Sequence, residues 1–114
     1  GYRIRFAHDS TVIDHTAAGF LNQLGRALQL PDLAGATLVV EGHTDATGSA
    51  AYNDGLSLRR VRAVADFLVA RHGIARSRLL PMGRGELEPL LSADPEHPGN
   101  RRVEFYLPGA KAVE

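Results

Sequence analysis

The chain has no cysteine and no tryptophan, and among its 114 residues only one methionine and one lysine, Lys111. Without cysteine there is no disulfide framework, no thiolate metal site and no Cys nucleophile. Either redox compartment suits such a chain. Charge of one sign is also missing: Lys+Arg is 13, Asp+Glu is 13, and the formal net charge is zero. That balance argues against a nucleic-acid binder working by bulk electrostatics and against a polybasic membrane-surface module. No apolar run approaches the ~20 residues of a membrane span. The longest lies around Leu38-Val39-Val40. No signal peptide is present. The chain starts at Gly1 rather than Met, which reads as the cut end of a longer protein from which any export signal, lipid anchor or membrane segment would have been removed.

What is present is ordinary globular composition, 44% hydrophobic and 23% charged. The length fits one domain, large enough to bury about two-thirds of its unfolded surface and to fold without staples. Residues 1–107 read as that domain and residues 108–114 as a tail. Nearly all the basic residues are arginine. Genomic base composition accounts for most of them, which leaves one or two for planar carboxylate recognition.

Tyr2-Arg3-Ile4-Arg5-Phe6 alternates and predicts a half-buried strand, followed by the polar loop His8-Asp9-Ser10-Thr11. Ile13, Ala17, Phe20, Leu21, Leu24 and Leu28 make an amphipathic stripe. Asp14 or Thr11 caps that helix and Pro31 stops it. Ala36–Gly42 reads as a central strand, because its Leu-Val-Val run suggests burial on both faces. A long helix follows from about Ala51 to His72, closed by Gly73, with Leu58, Val61, Ala65, Leu68 and His72 on one face. Arg78–Gly85 reads as an edge or bulged strand because of Pro81. Residues 86–100 contain three prolines and read mostly as loop. Asn100–Leu107 reads as a last strand with Val103, Phe105 and Leu107 inward. The order β-α-β-α-β-β in this length implies a two-layer α/β sandwich.

The least ordinary segment is Gly42-His43-Thr44-Asp45, with Gly48, Asn53, Leu56-Ser57 and Arg60 downstream. Open α/β sheets bind ligands in loops at the C-terminal ends of central strands. Asp45 in the loop and Arg60 two turns into the next helix offer one anion and one planar cation, a pair fitted to a zwitterion. The alternatives are that the two pair with each other, or that Asp45 caps a turn. His43 reads as a loop-ordering residue. No second His or carboxylate is read at ligand spacing to it, so no metal is expected. Arg59 and Arg62 read as a solvated helix face. Of Arg101 and Arg102, one reaches the ligand rim and the other pairs with Glu86 or Glu104, because strand neighbours face opposite ways. Gly83-x-Gly85 reads as a bulge or turn.

Gly42-His43-Thr44-Asp45-x-x-Gly48, Asn53-x-x-Leu56-Ser57-x-x-Arg60-x-x-x-Val64, Gly83-x-Gly85-Glu86-x-x-Pro89 and Asn100-Arg101-Arg102-Val103-Glu104 together resemble the OmpA-like peptidoglycan-binding domain. That family is shared by outer-membrane porin-like proteins, peptidoglycan-associated lipoproteins and flagellar stator proteins. The resemblance covers about Ile4 to Leu107. It departs at Val61, where the family usually has alanine after the binding arginine. Arg62-Ala63 is out of register with Leu56-Ser57, so the binding arginine maps to Arg60.

The resemblance implies a mixed four-stranded sheet with the last strand antiparallel. It implies a non-catalytic domain with no cofactor. Its ligand would be the stem peptide of peptidoglycan, held through meso-diaminopimelate. Asp45 would take the side-chain ammonium and Arg60 the carboxylate, with Asn53, Thr44 and Arg101 lining the site. The setting would be the periplasm of a diderm bacterium, as part of a larger membrane-attached protein. Membrane contact would come only through segments outside residues 1–114, and nucleic acid is not expected as a partner. A protein–protein interaction module on the same fold is the alternative, and a hydrolase using His43 and Asp45 is a third. Replacing Asp45 or Arg60 by alanine is expected to abolish wall binding and leave the thermal melt nearly unchanged.

Overall fold

The computed structural model describes residues 2–85 and 97–108. Glu86, Pro89 and the tail beyond Pro108 fall outside them. The strands are β1 (Tyr2–Arg5), β2 (Leu38–His43), β3 (Leu79–Gly83) and β4 (Arg102–Tyr106), and the helices are α1 (His15–Leu28) and α2 (Ala50–His72). Short 3₁₀ turns sit at Pro31–Leu33, Arg76–Arg78 and Pro98–Asn100. The sheet order is β1-β4-β2-β3. β4 is antiparallel to both β1 and β2, whereas β2 and β3 are parallel. This is the mixed α/β sandwich, with β2 inside the sheet and the proline-bearing β3 at its edge.

Local chemistry sets the helix ends. Asp14 is the N-cap of α1, and its Oδ1 accepts from the Ala17 amide at 2.8 Å. Ser49 caps α2 through the Tyr52 amide at 3.1 Å. Each such cap contributes about 1 kcal/mol. Gly73 ends α2 in the left-handed region at φ 64°, a conformation that is cheap for a residue without Cβ.

One face of the sheet packs on the helices. Ile4, Phe6, Leu21, Val40, Val61, Val64, Leu68, Val103 and Phe105 form that core. Fully burying each large apolar side chain stabilises by about 1.5–3 kcal/mol. Val61, the departure from the family pattern, is fully buried in this core. The difference is one of packing, where Val61 Cγ2 lies beside Gly42 near the end of β2.

Two sequence expectations change. Leu58 is 40% exposed and lies off the buried face of α2. In the first half of the helix that face is Asn53, Leu56, Ser57 and Arg60, so it is largely polar. The cause is position: this half packs under the loops at the sheet edge, where polar groups find partners. On β4, Leu107 lies beyond the strand and is 46% exposed, whereas Arg102 and Glu104 are buried. Alternation is real, but the second face is not simply solvated. It carries charges that pair with one another.

Candidate functional site

β1, β2 and β3 run in one direction and β4 returns against them. The loops after β1 and β2, the turn after β3 and the entry to β4 therefore meet at one edge of the sheet. Two close approaches hold that edge together. A Cβ on Gly42 would lie 2.3 Å from the Ser57 carbonyl oxygen, so α2 crosses directly against the end of β2. Gly85 turns at φ 55°. Its amide donates to Ser57 Oγ at 3.0 Å, and its carbonyl accepts from the Thr44 amide at 2.8 Å.

A cavity of about 200 Å³ opens at this edge, lined by Thr44, Asp45, Asn53, Arg60 and Arg101. All five residues picked from the sequence thus meet in one place. Arg62 is exposed on another face of the helix. The cavity is also lined by His8, Asp9, Thr47 and Tyr52, which sequence reasoning left without a role. For His8 and Asp9 the signal was topological: a polar loop after β1 reaches the site only if β1 runs in the same direction as β2.

Asp45 is almost fully buried. Its Oδ1 accepts from the amide and the hydroxyl of Thr47, which is the turn-capping arrangement, and its Oδ2 accepts from Arg101 Nη1 at 3.2 Å. Burial disfavours its charge, but the bonds from Thr47 and Arg101 outweigh it and hold the pKa below the ordinary 3.8. Asn53 Nδ2 donates to the carbonyls of Asp45 and Thr47 at 3.3 and 3.0 Å, fixing the loop on α2. Thr44 Oγ1 is buried and has no hydrogen-bond partner among the described residues.

Arg60 does not pair with Asp45. It is fully buried, and its guanidinium donates to three backbone carbonyls: Nε to Ser10 at 2.9 Å, Nη1 to His43 at 3.1 Å and Nη2 to Ala7 at 3.1 Å. It also lies 5.2 Å from the Phe6 ring centroid. Burial, reinforced by Arg101, lowers its pKa to about 10, so it remains charged at neutral pH. Three of the five guanidinium N–H groups are used by these carbonyls. Arg60 is therefore both a cation under the cavity and a strut joining the loop after β1 to the end of β2. The expectation that Arg60→Ala would leave the melt nearly unchanged does not suit this geometry. Arg101 bridges similarly, with Nε on the Phe6 carbonyl at 3.0 Å.

His43 is corrected. It ends β2 rather than sitting in the loop, and its side chain faces away from Asp45, across the sheet. Its Nε2 lies 2.8 Å from Glu41 Oε1. Residues two apart on a strand share a face, and Glu104 comes across from β4. Glu41, His43 and Glu104 bring ligand atoms within 4.8 Å of one another, so carboxylates do stand at ligand spacing. Both already hold guanidiniums: Arg84 on Glu41 at 3.3 Å, and Arg102 on Glu104. Tyr106 also donates to Glu41 at 2.6 Å. With the arginine charges in place, a divalent ion would meet repulsion instead of a free anionic cage. Burial and the Arg102 charge lower the His43 pKa below 6.5, outweighing Glu41 and Glu104. A shared acid–base role for His43 and Asp45 is inconsistent with their opposite placement.

The OmpA family model matches residues 5–102. The chain is 38% identical over 110 residues to the peptidoglycan-binding protein ArfA of Mycobacterium tuberculosis, covering 94% of this chain and 32% of that protein. It thus spans about a third of the length of the curated relatives it matches. Among solved structures it is similar to the OmpA-like domain of FopA1 from Francisella tularensis, with a TM-score of 0.82 at 22% identity, covering 90% of this chain and 68% of that one. It is also similar to the cell wall anchor of the T6SS from Pseudomonas aeruginosa, with a TM-score of 0.69 at 32% identity, covering 90% and 76%. The matched span includes the whole sheet edge built above, and the chain belongs to the OmpA family.

Proposed function

We propose that this domain binds peptidoglycan without catalysis, through the meso-diaminopimelate residue of the stem peptide, and so anchors a cell-envelope protein to the wall from the periplasm. The observation that carries this reading is the convergence of one buried carboxylate, two guanidiniums, an amide and a hydroxyl in one cavity. Such a site suits a zwitterion at the end of a side chain. The carboxylate meets the guanidiniums of Arg60 and Arg101, and the ammonium meets Asp45. Relatives named as a peptidoglycan-binding protein and a cell wall anchor support the same ligand class. Each charge-assisted bond contributes about 1.5–3 kcal/mol, less where water competes. Firm attachment comes from many stems presented along one polymer.

The experiment compares titration with a diaminopimelate stem peptide and with its lysine counterpart. Lysine lacks the second carboxylate and leaves the guanidiniums unpaired, so its affinity is expected to be about 10- to 100-fold lower. Equal affinity for the two peptides would refute the reading. Asp45→Ala is expected to lose retention on purified sacculi.

A further inference from the structure

We propose that the outer edge of β1 is a docking site for an extended segment of a partner protein, one in which acidic residues alternate with apolar ones. The proposal does not depend on what the cavity beside Asp45 binds.

Among the described residues β1 pairs only with β4, so its other edge borders no strand. The ladder sets which main-chain groups face that edge. The Phe6 amide donates to the Arg101 carbonyl at 3.1 Å, so these two residues form a hydrogen-bonded pair one step beyond Arg5↔Arg102. Such pairs alternate along antiparallel strands. Ile4 with Val103 and Tyr2 with Phe105 are then the bonded pairs. The amides and carbonyls of Arg3 and Arg5 point outward, in the arrangement that an added strand uses.

The two flanks of this edge differ in chemistry. On the helix side, buried Ile4 joins Ala17 and Phe20 of α1 around a cavity of about 350 Å³ beside the strand. Asp14 lines the same cavity and is engaged there as the cap of α1. On the opposite flank Arg3 and Arg5 are exposed. Arg5 has no ion-pair partner among the described residues, and its registered neighbour on β4 is Arg102, another cation. Arg3 neighbours Glu104, whose carboxylate Arg102 holds. This flank therefore carries an excess of positive charge.

The occupant follows from the flanks. A strand laid along β1 sends alternate side chains to opposite faces. Apolar ones enter the cavity beside Ile4 and Phe20, and acidic ones lie next to Arg3 and Arg5. Opposite charges on neighbouring strands attract, and like charges directly opposite repel. That argues against a second copy of this chain. Every antiparallel β1–β1 register that keeps the apolar flanks together sets arginine beside arginine.

The test is an NMR titration of the isotope-labelled domain with a synthetic seven-residue peptide that alternates Glu and Val between Thr ends. Two controls are its isomer with the Glu residues grouped together and a version N-methylated at each Glu. The alternating peptide is expected to shift amide signals of β1 and of residues 16–20, and to slow amide exchange at Arg3 and Arg5. Both controls are expected to bind about tenfold more weakly. Arg5→Glu is expected to weaken the Glu peptide about three- to tenfold and to favour its Lys counterpart. Such a reversal of preference cannot come from misfolding. Shifts that spare β1, or equal binding of either control, would overturn the proposal and leave the arginines as a guard against edge pairing. An unchanged preference in Arg5→Glu would overturn it too. Concentration-dependent broadening of β1 signals without peptide would give the edge to a second copy instead.

Discussion

Arg60→Ala removes a side chain that is both under the ligand cavity and inside the fold, and its stability cost follows from the bonds it makes. Three carbonyls lose a cationic donor, that of His43 buried and those of Ser10 and Ala7 partly so. Bonds to a charged group are worth about 1.5–3 kcal/mol each. Against this stands the cost of burying the charge, visible as the drop from 12.5 to about 10 in its pKa, on the order of 3 kcal/mol. Water reaching the vacated space recovers part of the loss. The net expectation is about 2–5 kcal/mol of destabilisation. For a domain of this size that lowers the melting temperature by about 8–20 °C. Arg60→Lys keeps the charge but has a single nitrogen, which cannot span Ala7, Ser10 and His43. It is expected to fall between wild type and alanine. Thermal and urea melts read both variants. A melting temperature for Arg60→Ala within about 2 °C of wild type would refute the strut.

Gly42→Ala places a Cβ against the Ser57 carbonyl and Val61 Cγ2. It should cost about 1–3 kcal/mol in a urea melt and shift NMR signals of the Thr44–Asp45 loop. Asp45 has a depressed folded pKa, so its contribution to stability is present above pH 3.8 and lost as pH falls through the folded value. Asp45→Asn should be less stable than wild type at pH 7, and the gap should close in melts taken below that range. His43 is held neutral, so its contribution is present above pH 6.5 and lost as pH falls below it toward the folded pKa. His43→Gln, which still donates to Glu41, should flatten the stability slope between pH 7.5 and 5. An unchanged slope would mean that His43 does not titrate with folding.

The ligand loop was legible because its information is local. Gly42 through Gly48 follow an apolar run, and Asn53, Ser57 and Arg60 recur at helical spacing on the face that meets it. Strand and helix order followed from apolar period, and Asp14 and Gly73 marked helix ends through their own chemistry. What stayed hidden depends on partners distant in sequence. Arg60 is defined by carbonyls 50, 17 and 53 residues away, and a carbonyl has no residue type to read. Polar positions on β4 suggested solvent, because alternation separates faces but does not say what a polar face meets. A pairing with Glu104 was expected from the sequence; the burial of Arg102 and Glu104 was not. His43 was misread for a related reason: ending the strand at Gly42, one residue short of its true end, put His43 in the loop and concealed that Glu41 shares its face.

The sheet's direction has a mechanical consequence. β1 starts at the end of the sheet remote from the cavity and runs toward it, antiparallel to β4 along four registered pairs from Tyr2↔Phe105 to Arg5↔Arg102. A pull applied at Tyr2 against a ligand held beside Asp45 acts along the strand axis. The bonds joining β1 to β4 then share the load together in shear, whereas a pull across the sheet would open them one at a time. A domain loaded this way resists tension best along the line between its ligand and the start of β1.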